Sequence, residues 1–563
     1  MNTNRIKMRL SVLLLLFMLQ SPVQANSTLS QEISRKESPT PSVDYVIVGV
    51  GTAGALVAKK LTDNKKISVI ALHNDKNLTQ DYFIKFSENA PLVVASALFN
   101  SPYFKTGQTT QQVNADNRRL MWALGLPGGG ASSINAGAFC RGTNRTYSAW
   151  ETIAGPNWSV NRVLNIYKEL ETYSGQTTNP GARGFKGPIT VRQPQHPTQV
   201  ALKFTEAITD ATGLPFVLDY NDPNTPTGPS SQIQYTQSLP DGNLRVSSAT
   251  AFLNHTVMTP EGLGVGGRKL QVFFEATALR TLWDGKTAVG VEYMQNNKTK
   301  RVMAKKGVIV CAGLFSSAFL MHSGVGPKNL LKSLNIPVKF DNQNVGQGFA
   351  DHHRLTMFFS TNPQDTPIEP VDPNNFLNQI AWLPDPLGDQ STRFFHFVTT
   401  NAIPGLAVGL LVLSPPYSRG MITINSANPL DPPVFNLGIL SDSRDMQLFQ
   451  NILTITMKNM NAALQKKDPA YGFIYPDPSI FTDLTKVTAF IRENVDSNEH
   501  FQSHCRMAPL KQGGVVNSMG YVHGVKRLWV ADDSIVPACI DGSPMASAYL
   551  IGANVAKLIL DNK

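Results

Sequence analysis

Cysteine is scarce: the 563 residues hold only four, Cys140, Cys311, Cys505 and Cys539, and no two of them form a CxxC pair. So few thiols, so far apart, exclude a disulfide framework for a chain of this size and read as buried free thiols. Charge is scarce too. Asp, Glu, Lys and Arg make up 16% of the sequence, below the roughly 25% of ordinary globular domains, while apolar residues reach 42%, so the chain is core-rich rather than disordered. The net charge of +10 is dispersed. Its densest patch, "NNKTKRVMAKKG" from Asn296, fits a solvated hairpin between two strands, and no basic stripe interleaved with aromatics points to nucleic acid as a partner. No GxSxG turn follows a strand, which removes a serine hydrolase. His500 and His504 stand four apart, yet nothing beside them reads as a third ligand, so no metal is expected.

Long apolar runs are also missing. Arg5, Lys7 and Arg9 precede the run Val12 to Leu19, which is too short to span a bilayer, and Val23-Gln24-Ala25 follows with small residues. This pattern predicts a removable secretory signal over 1–25, export to the periplasm or the outside of the cell, and no stable membrane span in the mature chain. Residues 26–42 are polar, without an apolar period, and read as a tether.

What is present begins at "DYVIVGVGTAGALVAKKL", Asp44 to Leu61. An unbroken apolar strand runs into the GxGxxG spacing of Gly49-Val50-Gly51-Thr52-Ala53-Gly54 and then into a helix. Gly49 permits the tight turn, Gly51 lets backbone amides reach a pyrophosphate, and Gly54 allows close helix packing. The helix aims its positive N-terminal end at that anion. A second strand, Ile67 to Leu72, supports a dinucleotide site. The acidic residue expected at its end, for the ribose hydroxyls, is replaced by His73, with Asp75 two residues on.

Further along, "GLPGGGASSINAGAFCRGTNRTYSAWE" (Gly125 to Glu151) is dense in residues without bulk. It resembles the first signature of the glucose-methanol-choline (GMC) flavoprotein oxidoreductases, with Gly129-Gly130-Ala131-Ser132-Ser133-Ile134-Asn135 in the matching places. "NLRVSSATAFL" (Asn243 to Leu253) resembles that family's Arg-x-Ser-Ser segment, and Val308 to Pro327 its second signature, one residue short between Gly313 and Ser323. "LQVFFEATALRTLWDGKTAVGVEY" (Leu270 to Tyr293) alternates like a β-ribbon. The resemblance runs from Asp44 to Leu560 and implies FAD. Gly49, Gly51, Thr52, Ala53 and Gly54 would then cradle its pyrophosphate. Gly129, Gly130, Ser133, Asn135 and Ala136 would line the flavin, with Asn135 offering an amide to its polar edge, and Asp532 with Ser534 would lie near the ribityl chain.

The segment "HFQSHCRMA" (His500 to Ala508) resembles the family's catalytic stretch, in which a histidine stands five residues before a cysteine. That selects His500 as general base, since loss of a hydride from an alcohol carbon is easier as the hydroxyl proton leaves. His504 replaces the usual threonine. The family's second active-site histidine or asparagine, just before a proline, is Ser543 here, able to hydrogen-bond a substrate oxygen but not to share a proton as imidazole does. The departure implies slower alcohol oxidation, a histidine such as His504 filling in, or a different reaction on a retained FAD scaffold.

These resemblances imply an α/β fold. A discontinuous, Rossmann-like FAD-binding domain spans 43–154, 235–353 and 500–563, and a substrate-binding domain of antiparallel sheet covered by helices spans 155–234 and 354–499. "FFHFVTTNAIPGLAVGLLVL" (Phe394 to Leu413), almost free of charge, reads either as a buried central strand or as the wall of an apolar pocket over the flavin ring. The implied function is oxidation of a small alcohol to an aldehyde or ketone by hydride transfer to flavin, with oxygen or a quinone-like molecule as electron acceptor. Two alternatives stand beside it. One is a non-redox lyase of hydroxynitrile-lyase type, whose first signature "INAGAFCRG" (Ile134 to Gly142) resembles; the other is a catalytically weak flavin-binding homologue, suggested by His73 and Ser543 together.

Overall fold

A computed structural model describes residues 40–562 apart from 79, 99–100, 225–226, 366–373 and 375–376. The secretory signal and all but the last residues of the tether lie outside the described residues. Tyr45–Val48 has no polar residue to place on a solvated face, and it forms the buried half of strand β1 (Ser42–Val48). The chain turns at Gly49, follows helix α1 (Thr52–Asp63) and returns as β2 (Ser68–Leu72), parallel to β1 with Ile47 opposite Ala71. Parallel neighbours need such a crossover.

The rest of this sheet arrives much later in the chain. β3 (Lys269–Phe273) lies parallel to β2, β4 (Ala276–Asp284) and β5 (Thr287–Gln295) form an antiparallel hairpin, and the long β6 (Lys298–Val310) returns beside β1. The order is β4-β5-β6-β1-β2-β3. One edge of β6 serves two partners: Lys298–Met303 pairs with β5, and Val308–Val310 pairs in parallel with Leu528–Val530. Beginning, middle and end of the chain thus meet in one sheet. The Asn296–Asn297 turn takes φ of 53° and 56°, the left-handed geometry of a two-residue hairpin, and the basic residues after it are exposed. The stretch Leu270 to Tyr293 differs from the ribbon expected of it. Leu270–Phe273 joins the parallel sheet, and the ribbon begins only at Ala276. β3 is an edge strand with one face exposed, so it alternates as an antiparallel ribbon does.

A second sheet is antiparallel throughout. It contains β7 (His353–Ser360), β8 (Gln379–Leu383), β9 (Phe395–Ile403), β10 (Leu406–Leu413) and β11 (Gly472–Tyr475), in the order β11-β7-β10-β9-β8. Helices Gln199–Thr212 and Lys458–Lys467 cover one face, where Phe204 meets Phe359 at 5.1 Å and Phe395, Phe397, Leu411 and Leu413 are fully buried. The opposite face is left for the site. The last helix, α2 (Pro544–Asp561), lies on α1, and Gly552 allows the approach, because a Cβ there would stand 2.9 Å from the Ala53 carbonyl oxygen. Among the described residues no helix is long and apolar enough to cross a membrane.

A buried ionic cluster moors the loop that carries Asn135 and Cys140. Glu171 receives Arg183 through both carboxylate oxygens, at 3.0 and 3.1 Å, and pairs with Arg141 at 2.5 Å; Arg183 also reaches Asp219 at 2.8 Å. These side chains are at most 2% exposed. Removing one member of such a set leaves buried charge uncompensated. Glu171→Ala is therefore expected to weaken folding by about 3–5 kcal/mol, read as a shift of the urea midpoint. A shift worth under about 1 kcal/mol would contradict the role given to Glu171.

Candidate active site

A cavity of about 660 Å³ runs from the ends of β1 and β2, past the first turn of α1, to the outward face of the antiparallel sheet. One part of its wall is built of glycine. Gly49, at φ +98°, has no room for a side chain, since a Cβ would lie 2.4 Å from the Cys311 carbonyl oxygen, and a Cβ on Gly54 would lie 2.1 Å from the Gly49 carbonyl oxygen. Gly51 differs: a Cβ there would meet nothing within 4 Å. The open space lies before the N-terminal amides of α1, where an anion is favoured. Gly130 crosses this turn so closely that its Cβ would stand 3.0 Å from the Gly51 Cα, and the Gly129 amide donates to the Val50 carbonyl at 2.8 Å. Thr52 Oγ1 donates to the Gly129 carbonyl at 3.1 Å, locking the two glycine segments together.

Of the residues singled out in the sequence, Gly49, Gly51, Thr52, Ala53, Gly130, Asn135, Ala136 and Asp532 line this cavity. Gly54, Gly129, Ser133 and Ser534 stand behind the wall and support it. Ser133 Oγ donates to the Gly128 carbonyl at 2.7 Å, and Ser534 donates to Asp532 through both its amide and its hydroxyl. Asp532 ties the C-terminal segment to the turn after β6, accepting from the Gly313 amide at 2.8 Å and Ser316 Oγ at 2.6 Å; burial raises its pKa. Asn135 is oriented by the protein itself: its carbonyl oxygen accepts from the Gly137 amide at 3.0 Å and from Arg245 at 3.2 Å. His73, in the place of the expected acid, is buried in the cavity wall. Desolvation lowers its pKa to about 4, and its Nε2 has no partner among the described residues.

His500 and Ser543 line the same cavity, and His504 does not. The ring of His504 is wholly buried against Phe349, with Nδ1 2.9 Å from Ser317 Oγ. The reason is local. The chain from 500 to 505 is not helical, and Ser503, at φ +71°, breaks the alternation that would have sent both imidazoles to one side. Ser543 is the N-cap residue of α2, without a side-chain capping bond.

His500 is held by groups that sequence reasoning did not single out. Its amide donates to Asp351 Oδ1 at 2.8 Å, and Ser497 Oγ donates to the other oxygen of that carboxylate. Burial pushes the pKa of Asp351 up to about 7. The His500 ring meets His352, Nδ1 to Nδ1, at 2.8 Å, and His352 Nε2 lies 2.9 Å from the Ile540 carbonyl oxygen. A carbonyl oxygen only accepts, so the proton of His352 is on Nε2. Burial lowers the pKa of His352 to about 3, so the ring is neutral and its Nδ1 carries a lone pair. His500 must then donate from Nδ1, which leaves its Nε2 as the bare, basic nitrogen. Asn498 Nδ2, 3.2 Å from both ring nitrogens, covers the ring edge. His352 lies 148 positions from His500 in sequence, so no local motif pairs the two.

The wall opposite is the charge-poor stretch from Phe394. Its two strands alternate: Phe395, Phe397, Leu411 and Leu413 enter the core, whereas His396, Val398 and Thr400 of β9 and Val408, Leu410 and Val412 of β10 face the cavity in register. One face of the stretch is thus buried central strand, and the other lines the cavity.

A glycine cradle at a helix N-terminus, opening into a cavity that ends at a paired histidine, defines a dinucleotide-dependent oxidoreductase of doubly wound α/β architecture. The chain belongs to the GMC oxidoreductase family, which it matches over residues 43–354 and 416–552. It is 27% identical over 551 residues to an oxygen-dependent choline dehydrogenase of Pectobacterium carotovorum subsp. carotovorum (strain PC1), covering 92% of this chain and 94% of that one. It is also 27% identical over 554 residues to an alcohol dehydrogenase [acceptor] of Pseudomonas putida, covering 92% and 95%. Among solved structures, pyridoxine 4-oxidase from Mesorbium loti superposes with a TM-score of 0.79 at 22% identity, over 92% of this chain and 98% of that one. A fungal aryl-alcohol oxidase gives 0.78 at 18% identity, over 92% and 99%. The cofactor is FAD.

The residues present fit that group: the open space at Gly51 faces the α1 amides, and the volume lies within the roughly 300–1,000 Å³ of cofactor and ligand sites. Gly51 has φ −80°, which any residue adopts. Gly51→Val is therefore expected to fold normally by circular dichroism while FAD affinity, followed by flavin fluorescence, falls about tenfold or more. Unchanged affinity would place the pyrophosphate elsewhere.

Proposed function

We propose that this enzyme oxidises an uncharged, apolar alcohol to the aldehyde or ketone, with His500 as general base. The observation that supports it is the hydrogen-bond chain from the Ile540 carbonyl through His352, which directs the proton of His500 to Nδ1 and leaves the lone pair on Nε2, where the Asn498 amide stands at 3.2 Å. FAD, held by the glycine turn, supplies the hydride acceptor. The protein does the rest. The substrate hydroxyl gives its proton to His500 Nε2, Ser543 orients the substrate oxygen, and the β8–β10 face excludes water from the reacting carbon. That face presents Ile380, Val398, Val408, Leu410 and Val412 around His396 and Thr400. It carries no carboxylate and no phenyl, phenol or indole ring to receive a quaternary ammonium, and Glu499, the carboxylate next to His500 in the lining, lies off this sheet face. An apolar alcohol suits it better than choline does. Dioxygen or a quinone-like molecule reoxidises the flavin in this reading, and the basic-then-apolar leader over 1–25 supports a place in the periplasm or outside the cell.

Anaerobic mixing tests the substrate class: benzyl-type or medium-chain alcohols are expected to bleach the flavin faster than choline at equal concentration, and the reverse order would refute it. His500→Ala should keep the yellow cofactor and lose about 10²–10⁴ in the rate of flavin reduction. Retained rate would remove His500 from the chemistry. Burial first, then His352, His396 and Arg354, hold the pKa of His500 well below the ordinary 6.5. A base so lowered stays unprotonated as the medium turns acidic. The rate of flavin reduction is therefore expected to stay level as pH falls through 6.5 and to drop only further down; a fall centred at or above 6.5 would contradict the assignment.

A further inference from the structure

His396 is a buried imidazole that the mechanism above leaves unused. It sits on β9, 4% exposed, in the cavity wall. Its ring lies nearly parallel to that of His500, with centroids 6.2 Å apart and an interplanar angle of 27°, and rests on Trp382 at 5.1 Å. Nδ1 is sealed off without a hydrogen-bond partner among the described residues. A buried polar group left unpaired costs about 1–3 kcal/mol, so its place on an otherwise apolar face needs a reason. Burial, with His352 and Arg393 nearby, lowers its pKa to about 3, so the ring is neutral and carries one proton. On Nδ1 that proton would be an unsatisfied buried donor; on Nε2 it is available to the cavity.

We infer that His396 donates a hydrogen bond from Nε2 to the substrate oxygen, taking the part for which Ser543 has only a hydroxyl. His500 Nε2 accepts the hydroxyl proton while the His396 N–H holds the oxygen as negative charge develops on it, a donor placed where charge appears. The two imidazoles have opposite polarity at the cavity because one is tied through Nδ1 and the other is not. This assignment rests on the alcohol reading of the site.

The test uses the FAD-loaded full chain and a pair of probes that cannot be oxidised by hydride loss, 2-phenyl-2-propanol and its hydrocarbon isostere tert-butylbenzene. Binding is read from the flavin absorbance spectrum. The wild type is expected to bind the alcohol about tenfold or more tightly than the hydrocarbon, a preference worth about 1.4 kcal/mol. His396→Phe should erase the preference while keeping hydrocarbon affinity, and His396→Gln, which retains an N–H donor, should restore part of it. If His396→Phe loses its flavin, His396→Leu takes its place in the comparison. No preference in the wild type, or a preference undiminished in the apolar variant, overturns the assignment. A preference that depends on His396 in a protein whose flavin no alcohol bleaches would instead sink the oxidation reading and leave the hydroxyl site standing.

Discussion

With His500 as the proposed base, its reactivity depends on one backbone carbonyl. Ile540, just before the last helix, receives the Nε2 proton of His352 and so fixes which nitrogen of His352 is bare, and that nitrogen in turn fixes His500. A histidine alone in a cavity has two neutral tautomers of similar energy, and only one of them is a base toward the substrate. Two short contacts decide between them without any charged group. Because this pair of imidazoles is neutral, burial does not have to be offset by a counterion, and the β8–β10 face beside it carries no charged side chain.

The two sheets give this arrangement its rigidity. The parallel sheet supplies the glycine turn and, through Leu528–Val530, holds the segment that leads to Asp532 and Ile540. The antiparallel sheet carries His352 beside the first residue of β7 and His396 on β9. His500 lies between them, its amide on Asp351. Its groups come from chain segments far apart in sequence, so the site exists only once both sheets have formed. Glu171 and its arginines act at a distance, by keeping the loop with Asn135 and Cys140 against the cavity.

How much of this was legible in the sequence follows from the range of each interaction. The glycine turn was readable because its steric demands are local: Gly49, Gly51 and Gly54 answer to neighbours within the turn or to the strand beside it. The doubly wound sheet followed from the strand–turn–helix pattern, and the family from the small-residue run around Gly129–Asn135. Leu270–Phe273 was harder, since a one-sided parallel edge strand and a ribbon alternate alike. The histidines divide the same way. His500 was visible through a motif, whereas His352 and His396 bear no local sign of their role. His352 is 148 residues from its partner, and His396 sits in a run whose apolar neighbours suggest only a core strand. An imidazole placed among residues that need no polar group was the available signal. His504, weighed as a stand-in for the histidine missing at Ser543, points away from the cavity, beside a positive φ at Ser503.

The direct measurement is the ring nitrogen resonances of His500, assigned by loss in His500→Ala, in protein with ¹⁵N-labelled histidine at neutral pH. The account predicts a protonated Nδ1 and a bare Nε2, with the opposite pattern for His352. A proton on Nε2 of His500, or an imidazolium, would contradict it.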